Sequence, residues 1–496
     1  MTQPTIIRLG EWLPDLPEWE NPGALEILNA IPQLRSYRDL PSLASFTNAL
    51  VSACLGSFWM ENDAGVIFNF AGDTANLYRL DSSDTWTTVN GPSGPYTAVN
   101  WDFTEFGDLV IATNKANVVQ VYDTSGAGPF ADLGGSPPQA ARCATVRDFV
   151  VLGDLSGTLN GTTLGPNFVA WSGFNNAAIW GVDIATQTDF NELFGRGGKV
   201  QRIVPGEYGV IVQEHSIQRM DYVGPAVIFQ FSEVEKKRGT PSPNSVMWHG
   251  GITYYYGWDG FYAFDGEQSL PMSENRVSRW FKDNSDISSI DTMRGVVDRQ
   301  NRLLIWAFKS SSALLQNDRL LIYNWAADRW SHAEVDTQVL EEFISSGFTL
   351  DELDTPLPLG IDTDSIAVDS AAFQGGALSI QAFDSSNRSA LFSGTPLAAI
   401  LDTQEVSGPD NARIFSNSVR PLVEGSTATD ITVEVGSRNS LRAPSVFSLP
   451  RSLNQINGEA ATRINSRYQR YRLNINGGFD HADGVRVQLR TQGGRR

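Results

Sequence analysis

Short runs of apolar and small residues recur between residues 64 and 383: AGVIFNFAG near Val66, GDLVIATN near Val110, RDFVVLGD near Val150, GEYGVIVQE near Val210, GGITYYYGWDGFYAFDG near Tyr254, NRLLIWAFK near Leu304 and GALSIQAFD near Ile380. Each is rich in β-branched and aromatic residues and is bounded by Gly, Asn or Asp, the pattern of short strands between tight turns. Their intervals, roughly 40 to 75 residues, mostly approach the repeat of a four-stranded propeller blade. A ring of such blades leaves no long open sheet edge. The pattern predicts a mainly β protein built on a β-propeller.

Turn chemistry supports this reading. The pairs Asp259-Gly260, Asp265-Gly266 and Gly134-Gly135 suit hairpin positions with positive φ. Asp328-Arg329-Trp330-Ser331, following LLIYNWAA, reads as the outer hairpin of a blade, and Asp84-Thr85-Trp86 is a shorter echo.

The pattern divides the chain into five parts. Residues 1–50 do not alternate like strands, and Pro14, Pro17, Pro22, Pro32 and Pro41 break any long helix, leaving one short turn around Ala24 to Ala30. This N-terminal arm is expected to lie extended across another surface, anchored by Trp12, Trp19 and the nearby Trp59 on the chain's own propeller or on a partner subunit. Residues 51–335 carry the blades. Residues 336–370 form an acidic insertion, with ten carboxylates and no Lys or Arg between 334 and 369, and its stretches VLEEFISS and TLDEL are helix-compatible. Residues 371–412 hold the last blade strands. In residues 413–496, DITVEVGSR, RYRLNING and GVRVQLRT alternate again, predicting a C-terminal β platform, either a small sandwich or the strands that complete the ring.

Composition sharpens the picture in two places. With 41% hydrophobic residues, 45 Gly and 24 Pro in 496 residues, the chain suits many short strands joined by turns. The net charge of −19 is unevenly spread: from Arg413 onward there are 13 Arg, no Lys and 6 acidic residues, or +7, against 24 basic and 50 acidic residues, or −26, before it. The larger part should repel nucleic acid. Arg467, Arg470 and Arg472 are candidates for contact with an acidic partner or for a solvated sandwich face. No basic, apolar leader opens the sequence and no apolar run approaches the length of a membrane span, so a protein made in the cytosol, without a membrane-spanning segment, is expected.

Candidate chemistry is sparse. Cys54 and Cys143 stand 89 residues apart with no CxxC, signalling neither a zinc site nor a disulfide framework. Asp362-Thr363-Asp364 and Asp369 have part of a calcium-loop spacing but lack its central Gly and terminal Glu. His215, His249, His332 and His481 are scattered, and no GxSxG, HExxH or phosphate-loop pattern occurs. Ser82–Trp86 faintly resembles the Asp-box of sialidase-type propellers without its turn Gly. No catalytic residue, metal ligand or cofactor is therefore assigned.

The strings GALEILNAIPQLRSYRDLPSL, FAGDTANLYRL, FGDLVIATN, GEYGVIVQEHSIQRMDYVGPAVIFQF, GTPSPNSV, YYGWDGFYAFDG, NDRLLIYNWAADRWS and RYQRYRLNINGGFDHADGVRVQLRTQGGRR, in this order, resemble tail proteins of short-tailed bacteriophages. The resemblance implies a tail nozzle, or hub: six copies forming a tube below the portal and its adaptor ring, with fibres or spikes attached outside and double-stranded DNA passing through. It implies residence in the virion tail after assembly in the host cytoplasm, and no catalysis. A wall carrying −26 suits a channel that must not bind its cargo. The alternative expectation is a glycan-binding or glycan-hydrolysing propeller; hydrolysis would need two convergent carboxylates, which one sequence cannot select.

Overall fold

The computed structural model describes residues 3–126, 128–314, 316–344, 378–425 and 429–491. Seven four-stranded antiparallel units follow one another along the chain as the blades of a propeller, six as separate sheets and one as the first four strands of an eleven-stranded sheet. Their first strands are Gly56–Glu61, Asp102–Phe106, Gln139–Val146, Val200–Val204, Met247–His249, Arg294–Asp298 and Leu340–Ile344. These strands pack side by side around an axis, and the seventh returns to the first. The fifth is short, and the 3-10 turn Pro243–Ser245 fills the gap between the fourth and sixth.

Hairpin corners are built by one local device. Asp81 accepts backbone N–H bonds from Ser83 and Thr85, Asp265 from Glu267 and Gln268, and Asp384 from Ser386 and Arg388. A short acceptor side chain thereby satisfies amides that the turn removes from the ladder. Asp84 and Asp328 take φ of 54° and 51°, as short polar residues do at such corners, and each is followed two residues later by a buried Trp on the outer strand. Blades then meet through small residues: a Cβ on Gly72 of blade 1 would lie 2.4 Å from the indole of Trp101 at the start of blade 2.

The N-terminal segment differs from the sequence expectation. It forms the strands Gln3–Arg8, Glu26–Leu28, Ala30–Pro32, Tyr37–Asp39 and Pro41–Ala49. No helical turn forms around Ala24 to Ala30. The prolines do not prevent pairing because Pro32 and Pro41 stand at strand ends, while Pro14, Pro17 and Pro22 lie in the intervening loop. Pro41–Ala49 supplies the outer strand of blade 7, whose other strands, Leu340–Ile344, Leu378–Phe383 and Arg388–Pro396, come from some 300 residues later. The ring is thus closed by joining distant parts of the chain.

VLEEFI is also not helical: Leu340–Ile344 is the axial strand of blade 7, paired residue for residue with Leu378–Phe383. Its helix-forming Leu and Glu are overridden by tertiary pairing. TLDEL, the rest of the acidic insertion and the Asp362–Asp369 spacing lie outside the described residues.

The platform is a two-sheet body, as expected for the C-terminal part, but the arm completes it. In one sheet Phe479–Thr491 pairs with Ile414–Gly425 on one side and with Gln3–Arg8 and Tyr37–Asp39 on the other. The second sheet begins as blade 6: its outer strand Arg329–Thr337 pairs with Glu26–Leu28, which leads through Ala399–Asp402 and Tyr468–Asn476 to Asp430–Arg438. One apolar core accordingly runs from Phe261, Trp306 and Trp330 in the propeller to Tyr471, Leu473 and Val485 in the platform. Trp12 lies inside it, fully buried, stacked on His332 and edge-on to Trp280, each at 4.7 Å between ring centroids. Asp15 fixes the next stretch by accepting the backbone N–H groups of Arg279 and Trp280 at 2.9 and 2.8 Å.

Candidate functional site

All seven blades contribute to a cavity of about 680 Å³ on the propeller axis. Its size falls within the range of small-molecule sites. Axial strands carry charge where blade cores would otherwise be apolar: Asp102 in WDFTEF, Arg142 in ARCATV, Arg202 in QRIV, Arg294 in MRGVV and Glu341 in LEEF. Each sits on the first strand of a different blade; Asp102, Arg202, Arg294 and Glu341 line the cavity, whereas Arg142 is not among its lining residues.

Asp102 is almost wholly buried; one carboxylate oxygen accepts from Arg202 Nη1 and the other from the Cys143 backbone N–H at 3.1 Å. Arg294 donates from Nη2 to the Leu55 carbonyl at 2.9 Å, and burial draws its pKa down to about 10. Arg142 is 8% exposed, and burial lowers its pKa as well. Nε and Nη1 of Arg142 and Nε of Arg202 are buried without a protein hydrogen-bond partner. Glu342 pairs with Arg299 at 3.0 Å near the mouth. Glu341 lines the cavity and forms no ion pair among the described residues. Burial, and then the neighbouring Glu342 carboxylate, push its pKa up to about 8 against the pull of Arg202 and Arg294.

Burial and the Glu342 carboxylate thus favour the uncharged form of Glu341. The protonation of Glu341 has a measurable consequence. A carboxyl whose pKa is higher folded than unfolded stabilises the fold fully below its unfolded value, and that contribution is lost as pH rises to the folded one. Urea denaturation between pH 5 and 8 should show stability falling by up to about 1.4 kcal/mol per pH unit from this group. Glu341→Gln should flatten that slope; equal slopes in the two proteins would refute the assignment.

Of the residues singled out from sequence, Trp59 lines this cavity on the first strand of blade 1, and the others lie in and around the platform. Trp12 is core, whereas Trp19 is 52% exposed. Arg467 is exposed. Arg472 forms a two-point contact with the buried Asp402, at 2.7 and 3.0 Å, and lies 3.9 Å over the ring of Phe447. Arg470 pairs with Glu18 of the arm at 3.2 Å and approaches Asp402 at 3.9 Å. Arg438 pairs with Glu405 at 2.7 Å and with the same Glu18 at 3.2 Å. Three of the segment's arginines, Arg438, Arg470 and Arg472, are thus engaged within the chain, two of them fastening arm to platform through Glu18, and Arg467 and Trp19 remain open to a partner. The axial group escaped the sequence reading, although a charged residue near the start of successive blade strands was a visible signal.

Among the described residues no group of His, Cys, Asp and Glu is arranged to hold a metal ion, and no helix is long and apolar enough to cross a membrane. Cys54 and Cys143 are free and buried.

No protein-family model matches the sequence, and no curated protein matches it. Among solved structures, the chain is similar to a streptogramin B lyase at 10% identity and a TM-score of 0.41, covering 70% of this chain and 96% of that one. It is also similar to the computationally designed Ika8 protein at 11% identity and a TM-score of 0.37, covering 71% of this chain and 99% of that one.

Proposed function

We propose that the chain is a structural subunit of the tail nozzle of a short-tailed bacteriophage, assembling as a ring of six copies below the portal and adaptor and anchoring fibres or spikes. The observation that carries the proposal is the fusion of propeller and platform: the outer strand of blade 6 continues, through an arm strand, into the platform sheet, and one apolar core spans both. A subunit of this kind transmits load as a single body, as the wall of a conduit must. Two features of the sequence support the reading. The ordered strings resemble that family, and the charge of −26 before Arg413 would keep DNA in transit from adhering. In this reading the chain catalyses nothing, and Trp19 and Arg467 are available for contacts between subunits.

Labelling intact particles of the source phage with an antibody raised against the chain, followed by electron microscopy, tests the proposal. Label at one vertex below the capsid is the expected result. Particles devoid of label, with an antibody proven on native protein, would overturn it.

A further inference from the structure

Arg202 and Arg294 line the axial cavity together with Asp102 and Glu341, and Arg142 is buried close by, outside the lining. Arg142, Arg202 and Arg294 come from three blades and lie within electrostatic reach of one another. Asp102 is engaged by Arg202, and neither Arg142 nor Arg294 has an ion pair among the described residues. A purely structural buried network normally satisfies its donors, because an unpaired buried charge is among the costliest features a fold carries. Here Nε of Arg202, a lining residue, is left without a protein partner, as are Nε and Nη1 of the neighbouring Arg142, which is not part of the lining. Guanidinium groups suit oxyanions, which they meet through parallel N–H donors.

Nearer the mouth the wall changes character. Trp59 and Trp248 line the same cavity, Trp248 is 38% exposed, and the Arg202 guanidinium lies 5.9 Å from its ring centre. Flat, amphipathic ring faces beside a charge favour a ligand with an apolar C–H face and polar edges. A cavity of about 680 Å³ exceeds what an inorganic ion needs and suits a ring-sized organic molecule.

We propose that the axial cavity binds an acidic saccharide, its carboxylate held by Arg202 and Arg294 and its sugar ring lying along Trp59 and Trp248. The site is independent of the chain's place in a phage tail: it follows from the axial residues of a single subunit.

Isothermal titration of the full chain at pH 7 with glucuronate, glucose and inorganic phosphate tests this. Glucuronate should bind, with glucose and phosphate each at least about 10-fold weaker, the worth of one charge-assisted contact or one ring face. Arg294→Gln should lower glucuronate affinity about 10-fold or more. Trp248→Ala, a change at the exposed rim that the fold should tolerate, should weaken glucuronate while leaving phosphate unchanged. Absence of glucuronate binding, or equal binding of glucose, overturns the proposal. So does phosphate binding as tightly as glucuronate with no effect of Trp248→Ala, since that describes a bare anion site.

Discussion

A chain lacking residues 1–49 is expected to lose its cooperative unfolding transition. The deletion removes the outer strand of blade 7 and opens the propeller ring. It also strips Gln3–Arg8 and Tyr37–Asp39 from one platform sheet and Glu26–Leu28 from the other, severing the link between blade 6 and the platform. Each loss exposes unpaired strand edges, which invite aggregation. Circular dichroism melts and limited proteolysis would read the outcome; a sharp transition near that of the intact chain would show the arm to be dispensable. Point variants within the arm separate packing from mere presence. Trp12→Ala should cost about 3–5 kcal/mol, the range for emptying a buried aromatic site. Trp19→Ala, at a half-exposed position, should stay within about 0.5 kcal/mol.

Replacing Asp402 is expected to have the second largest effect. Its carboxylate is 1% exposed, burial raises its pKa, and it receives the two-point contact of Arg472 with Arg470 close by. Asp402→Ala leaves those guanidiniums facing a buried void, and removing one partner of a buried pair typically costs about 3–5 kcal/mol. Chemical denaturation measures the loss. The double change Asp402→Leu with Arg472→Met removes both charges and should recover most of it, because two apolar side chains carry no desolvation penalty. If the double variant proved no more stable than Asp402→Ala, the pair's contribution would lie in its packing, such as Arg472 over Phe447, rather than in its charge.

Local signals were legible in the sequence wherever a strand's partner is its neighbour. GEYGVIVQE becomes Gly209–Gln213, buried throughout, and the Asp328-Arg329-Trp330 corner is where the turn residues placed it. Signals failed where pairing joins distant segments. Gln3 pairs with Leu489, and Leu28 pairs with His332, so nothing in the periodicity of either segment announces the partner. VLEEFI carries helix-forming residues, yet its place between blades 6 and 1 fixes it as a strand. The axial charges were visible as residues but not as a group: they come together only when blades 2, 3, 4, 6 and 7 close around one axis.

That closure also governs the order of events during synthesis. The arm leaves the ribosome first, but Pro41–Ala49 has no edge to join until Arg388–Pro396 has been made, and Gln3–Arg8 waits for Phe479–Thr491. At about 5–20 residues per second, the first strand stays unpaired for roughly half a minute to a minute and a half. Six blades can form in sequence behind it, each from local hairpins, while the seventh and the platform assemble last. The nascent chain therefore carries a dangling segment with Trp12 uncovered, a natural target for a chaperone, and a pause or truncation late in translation would release a propeller still open on one side.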